Sequence, residues 1–237
     1  MMIKLAGKRV LVVGGSSGIG QAVAAAALAE GAQVTIAGRS AERLEKAAGI
    51  LGNVRAVQVD TADADRVASI FQAEVEFDHV LISAAQTPTG PVRKLAPEDA
   101  RAAMDSKFWG AYTVARLARI AERGSLTFVS GFLAERPSSR SVLQGAINAA
   151  LEALARGLAL ELAPVRVNTI SPGLIDTPLW SRMEDDARLE MFARVGSHLP
   201  VGRVGLPDDI ANAAIYLMTT GFATGSVVRV DGGGVIA

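Results

Sequence analysis

Short unbroken apolar runs alternate along this chain with longer stretches in which apolar residues recur every three or four positions. Residues 10–13 read Val-Leu-Val-Val, the composition required of a strand covered on both faces. The alanine-rich stretch 21–30 that follows predicts a helix. The same alternation predicts strands over 33–37, 54–59, 79–83, 125–130, 166–170 and 226–230, and helices over 41–51, 64–74, 97–122, 142–162 and 207–219. Strands separated by helices return parallel through right-handed crossovers, so the pattern predicts an α/β fold, a doubly wound parallel sheet with helices on both faces. No linker composition or repeat interrupts residues 1–237, which are expected to form one domain. The long stretch outside the alternation is 171–205, where Trp180, Met183, Met191 and Phe192 stand at roughly helical intervals among charged residues. It is expected to be either a lid over a site or an external helix packed on the body.

Composition narrows the functional classes. Half of the residues are apolar but only 5% are aromatic, so the core must be built from Ala, Val, Leu and Ile, which suits close packing of helix on sheet. The 24 Lys and Arg equal the 24 Asp and Glu. With no basic excess to neutralise phosphates or to hold an anionic membrane, neither nucleic acid nor membrane is an expected partner. The absence of cysteine excludes disulfides, thiolate metal sites and a Cys nucleophile, and no metal site is expected. The apolar run that follows Lys8 and Arg9 stops at Gly14, too short for a signal core or a membrane span. The expected location is cytoplasmic.

The stretch Gly14-Gly15-Ser16-Ser17-Gly18-Ile19-Gly20 lies between a predicted strand and a predicted helix. There, backbone N–H groups and the positive end of the helix meet a pyrophosphate. Glycine permits a positive φ and lets the backbone approach the phosphates, and Gly20 lets the helix sit against the sheet. Such a turn is the mark of a Rossmann fold. A dinucleotide-binding chain normally carries an acid for the ribose 2′-hydroxyl about 20 residues further on. This chain instead reads Ala37-Gly38-Arg39-Ser40. Arg39, with Ser40 beside it, offers a fork of donors to a 2′-phosphate, which points to NADP(H). Asp60, at the end of the third predicted strand, either accepts from the adenine amino group or caps the next helix with Thr61.

These features resemble the short-chain dehydrogenase/reductase family, and the resemblance runs through Arg166-Val167-Asn168, Ser171-Pro172-Gly173 and Val230-Asp231-Gly232-Gly233. It implies that Pro172 and Gly173 flank the nicotinamide, that Ile175 holds the carboxamide and that Thr177 meets the diphosphate. Ser83, Ala84 and Ala85 stand at the end of the fourth strand, where relatives carry the small residues that keep a backbone beside the cofactor. The segment Gly202-Arg203-Val204-Gly205 with Pro207, Asp209 and Ile210 resembles the family's entry to its last long helix. A homo-oligomer, dimer or tetramer, is implied, with a small-molecule substrate.

The family's chemistry rests on an Asn, a Ser, a Tyr and a Lys, the last two at i and i+4 on one helix face. All four positions differ here. Lys107 stands in place of the Asn, Gly131 in place of the Ser, Gln144 in place of the Tyr and Asn148 in place of the Lys. Ser130 is one residue out of register and is expected to point elsewhere. The residues available for the chemistry are therefore Lys107, Ser130, Gln144 and Asn148, with Lys107 and Asn148 also within reach of the cofactor. Gln144 and Asn148 can bind and orient but are poor proton donors. Lys107, desolvated, either gives the proton or stabilises the developing alkoxide, or else is a structural cation contacting the ribose or a strand-end carbonyl. His198 is read as an acid or as a turn or interface residue, and Ser138, Ser139 and Ser141 as loop hydroxyls that approach a substrate or serve as turn or capping residues.

The function expected from this reading is an NADP(H)-dependent oxidoreductase acting on a small carbonyl or alcohol with a rearranged proton donor. Two other readings stay open: a non-catalytic NADP(H)-binding sensor or partner subunit, and a lyase or isomerase built on the fold.

Overall fold

The computed structural model describes residues 4–72 and 76–237. Seven strands form one parallel sheet: β1 (Arg9–Val13), β2 (Gln33–Gly38), β3 (Val54–Gln58), β4 (Phe77–Ile82), β5 (Ile120–Val129), β6 (Arg166–Pro172) and β7 (Val227–Val230). Their order is β3-β2-β1-β4-β5-β6-β7, the doubly wound Rossmann arrangement, and it reverses direction between β1 and β4. Ligands of such sheets bind beyond the carboxyl ends of the strands at that reversal.

Alternate residues of each strand feed two cores. Val10 and Val12 face α1 (Gly18–Ala29), α2 (Ala41–Leu51) and α8 (Pro207–Thr219), together with Val34, Ile36, Leu81 and Ile170. Leu11 and Val13 face the other side, where Val80, Leu126, Phe128 and Val167 pack against α3 (Ala64–Gln72), α5 (Gly110–Leu117) and α6 (Val142–Glu161). The unbroken apolar run at 10–13 is thus explained, since both faces of β1 are covered. The last two positions of the helix predicted over 64–74 lie outside the described residues.

The helix predicted over 97–122 is corrected. It is α4 (Pro97–Met104), then a π-helical turn (Asp105–Trp109), then α5 ending at Leu117. Periodicity over 118–122 reads as helix, but Ala118 is extended and Ile120 pairs with Phe77 on β4. A parallel partner outside the segment outweighs local propensity there. The ladder shifts register between Phe77 and His79, and beside that shift Arg123 has a positive φ of 66°.

Residues 171–205 contain a 3₁₀ turn (Pro178–Trp180) and α7 (Asp185–Gly196). Trp180 meets Phe192 edge to face, with centroids 6.4 Å apart, and its indole N–H donates to Ile175 O at 3.0 Å. Among the described residues, no helix is long and apolar enough to cross a membrane. Nor is any group of three or more His, Asp or Glu placed among them to hold a metal ion.

Candidate active site

The glycine turn closes the carboxyl end of β1 at the point where the strand order reverses. Gly14 N–H donates to Ala37 O at 2.7 Å, and its φ is 92°. A Cβ on Gly14 would lie 2.5 Å from Ala84 N, and one on Gly20 would strike Gly14 O and Ser83 Oγ. Glycine is thus required at both positions for the crossing of turn, helix and β4 end. Ser17 is the N-cap of α1 but makes no side-chain bond to the first turn, which leaves the helix's first N–H groups open to an anion. Ser83 and Ala84 both donate backbone N–H to Val13 O, at 2.9 and 3.1 Å, and so fix the β4 end against the turn.

At the outer edge of the same crevice Arg39 is exposed, and its Nη2 donates to Gln86 Oε1 at 2.7 Å across the gap from β2 to the segment after β4. Ser40 caps α2, its hydroxyl accepting from Arg43 N–H at 3.3 Å. Asp60 accepts from Ala62 N–H and so closes a turn, while the first turn of α3 is capped by Asp63 through Arg66 N–H. Of the two roles open to Asp60, helix capping is therefore taken by its neighbour.

On the other side, Gly173 lies against Asp231, whose Cα would be 2.7 Å from an added Cβ. Ile175 is buried and pairs with Gly205 in an isolated parallel bridge. Thr177 stands over the glycine turn: a Cβ on Gly18 would come within 3.3 Å of Thr177 Cβ. Residues from three distant parts of the chain, 14–20, 83–84 and 173–177, thus line one crevice. Its open helix terminus, exposed guanidinium and glycine-rich turn fit a dinucleotide.

Beneath the crevice lies a buried polar cluster. Lys107 projects from the π turn, 8% exposed, and its Nζ donates to Asn148 Oδ1 at 2.6 Å and to Ser130 O at 2.8 Å. Burial pulls the Lys107 ammonium down to about 8, with the Glu152 charge opposing. Asn148 Nδ2 donates to Gly131 O at 3.1 Å, and Ser130 Oγ donates to Glu152 Oε1 at 2.8 Å. The Ser130 hydroxyl is turned to Glu152 on α6 and to Ile170 O. Gln144, one turn before Asn148, has a buried Oε1 that accepts no hydrogen bond among the described residues. His198 is tied to its own helix end, Nδ1 lying 2.7 Å from Arg194 O, which matches the turn reading.

Two members of this site escaped the sequence. Glu152 stands four residues after Asn148, so helical spacing put it on the same face. An acid in an alanine-rich helix nevertheless carries no local sign of burial. Gln86 had no signal at all, because its contact with Arg39 spans 47 residues.

A parallel sheet with a glycine-rich turn at its reversal and a buried polar cluster at the carboxyl ends of its strands is the arrangement of a Rossmann-fold protein. Residues 13–234 match the protein family described as enoyl-(acyl carrier protein) reductase. A short-chain dehydrogenase/reductase of Stachybotrys chlorohalonatus is 32% identical over 98% of both chains. The NADP-dependent (R)-specific alcohol dehydrogenase of Lentilactobacillus kefiri is also 32% identical over 98% of both. The crystal structure of a small-chain dehydrogenase in complex with NADPH superposes with a TM-score of 0.86 at 36% identity, covering 98% of this chain and 100% of that one. The chain belongs to the short-chain dehydrogenase/reductase family and is an oxidoreductase of that type.

Proposed function

We propose that this protein reduces a small carbonyl compound, or oxidises the corresponding alcohol, with NADP(H), and that Lys107 handles the proton. The observation that carries the reading is the Lys107 ammonium itself, buried at the carboxyl end of the sheet and drawn down to about 8. An ammonium has three donors. Two are used on Asn148 and Ser130, which leaves one for the oxygen of a substrate.

The bound dinucleotide supplies the hydride. The chain's part is to hold the nucleotide at Gly14, Ser16, Ser17, Gly18, Ile19 and Gly20, with Arg39 and Ser40 at the 2′-phosphate and Asp60 at the adenine edge. Ser83, Ala84, Ala85, Pro172, Gly173, Ile175 and Thr177 shape the nicotinamide half. Gln144 orients the carbonyl, and Asn148 fixes Lys107. Lys107 gives its proton to the carbonyl oxygen as charge develops there and is left as the neutral amine. Relative to the family's usual set, the amine and the amide have exchanged helices: the cation enters from the π turn and the amide from α6. The NADPH complex of one relative and the NADP dependence of another support the choice of cofactor. The segment 171–205 is placed to cover the substrate, with Trp180 anchored on Ile175.

The test is a titration with NADPH and NADH, followed by nicotinamide fluorescence and thermal midpoint, because a ligand of the folded state raises that midpoint. Tighter NADPH binding is expected, with the preference lost in Arg39→Ala by roughly 10- to 100-fold, the worth of a charge-assisted hydrogen bond. In a carbonyl screen Lys107→Met is expected to lose turnover by at least about 100-fold while still binding NADPH. Full turnover in that variant, or equal affinity for the two cofactors, overturns the corresponding half of the proposal.

A further inference from the structure

A lysine with almost no water around it sheds its proton unless oriented acceptors and a nearby anion replace the lost hydration. The acceptors of Lys107 are Asn148 Oδ1 and Ser130 O. The anion comes from one helical turn beyond Asn148. Glu152 is buried at 7% exposure, and its Oε1 accepts from Ser130 Oγ at 2.8 Å. Ser130 is thereby held at three points. Its hydroxyl is fixed by Glu152, its N–H donates to Ile170 O at 2.9 Å, and its carbonyl receives the Lys107 ammonium. It cannot swing that carbonyl away from Lys107 without straining its bonds to Glu152 and Ile170.

The charged groups bearing on the pair come from every side of the cluster. Arg156 lies on α6 with Glu152, Glu135 follows the 3₁₀ turn Phe132–Ala134, and Arg229 lies on β7. Arg229 and Glu135 are themselves paired at 3.3 Å. Among the described residues, Glu152 is the charge that acts appreciably on Lys107, and it acts against the effect of burial. Burial also pushes the Glu152 carboxyl up, opposed by the Ser130 hydrogen bond and by Arg156 and Arg229, while Glu135 adds to the rise. A carboxyl in this place serves packing poorly, since an apolar side chain of similar size carries no desolvation cost.

We infer that Glu152 is a positioning residue for Lys107: through Ser130 it fixes the carbonyl that holds the ammonium, and by its charge it keeps Lys107 protonated near neutral pH. Its catalytic meaning rests on the reading of Lys107 as proton donor, but the coupling itself does not. After each proton is given to substrate, the same charge favours return of the next one to Lys107.

The intact, cofactor-free protein labelled with ¹³C at the lysine ε carbons provides the test, with the Lys107 signal assigned by its loss in Lys107→Met. Glu152→Gln leaves an acceptor for Ser130 Oγ and removes the charge. The Lys107 midpoint, near 8 in the parent, is expected to fall by about one pH unit in this variant, and the pH profile of reduction to move in the same direction with little change in KM. A folded Glu152→Gln protein with an unmoved Lys107 midpoint overturns the inference. Should that variant not fold, the coupling is read from the other end, since it is reciprocal. The Glu152 carboxyl must titrate at higher pH in Lys107→Met than in the parent, and an unchanged value overturns the inference equally. Failure of the proton-donor reading has a different signature: full turnover in Lys107→Met, whatever the two titrations show.

Discussion

Gly131 and Asn148 each permit the other. A Cβ on Gly131 would stand 2.8 Å from Asn148 Nδ2, and that same nitrogen donates to Gly131 O. Where a larger residue occupied 131, the amide could not lie flat against the β5 end and present Oδ1 to Lys107. Gly131→Ser is therefore expected to push Asn148 aside and break its bond to Lys107 rather than to unfold the protein, because the colliding atom is the tip of a side chain. The cost in chemical denaturation should be about 2–4 kcal/mol, because Gly131 has a φ of 156°, a backbone conformation that side chains rarely adopt, and its strain adds to the overpacking. The larger effect belongs at the Lys107 signal, whose titration moves down when an oriented acceptor is lost. Reduction by this variant should fall alongside. A denaturation loss without any change at Lys107 would show that the two residues are not linked in this way.

Among the elements, two short departures from regular structure position the site. The π turn at Asp105–Trp109 carries Lys107 inward, and it closes on Gly110, where a Cβ would strike Thr61 Oγ1. Such turns recur at functional sites because the extra residue re-aims a side chain. The entry to α8 is the second. Pro207 opens the helix, and Asp209 accepts from Leu206 N–H at 2.8 Å and from both Arg203 Nη atoms at 2.7 and 2.9 Å. The Arg203 hydrogen bonds, then that of Leu206, hold the Asp209 carboxyl down to about 2. Gly205, beside this lock, bridges to Ile175, so the helix entry also secures the segment that follows β6. Arg203→Ala should lower the thermal midpoint at neutral pH. Because Asp209 is depressed from 3.8 to about 2, the contribution is present above pH 4 or so and disappears as pH falls through about 2. The midpoints of parent and variant should accordingly converge across that interval. The pair is exposed, so the shift should be small, and an equal gap at all pH values would assign it to packing instead.

At the scale of the whole molecule, the amino ends of the strands carry a different polar group from the carboxyl ends. His79 is buried between β4 and β5, with Nδ1 2.8 Å from Ser125 Oγ. Burial first, and the nearby Arg166 charge second, lower its pKa to about 4. Arg166 itself is satisfied there by Leu217 O and Met218 O at the end of α8, at 2.6 and 2.9 Å. In the unfolded chain a histidine takes up its proton near 6.5. Between these values the unfolded state binds more protons than the folded one, so stability falls as pH drops from about 6.5 towards about 4. Urea unfolding should show a loss of roughly 2 kcal/mol between pH 7 and pH 5. His79→Gln, which keeps a partner for Ser125, should lack that part of the loss. A parent protein equally stable at both pH values would contradict the neutral, buried histidine.

The amino-acid sequence alone determined what depends on neighbours within a few residues. The apolar run at 10–13 specified a strand buried on both faces, the alternation of runs specified the parallel sheet, and Gly14 to Gly20 specified a tight glycine-rich turn at a strand–helix junction. Arg39 and the unusual residues at 107, 131, 144 and 148 were also legible by position. What the sequence could not decide was set by pairing across long separations. Residues 118–122 have helical spacing, yet the helix stops at Leu117 and β5 begins at Ile120, because β4 offers a ladder there. Glu152 has no local signal, and only the packing of α6 on β5 brings its carboxylate to Ser130 Oγ. The π turn carries no local signature, and with it came the inward aim of Lys107. Tertiary structure alone brought the Asn148 amide and the Ser130 carbonyl each within 3 Å or so of that ammonium, since burial and hydrogen-bond partners belong to the packed chain and not to any stretch of it.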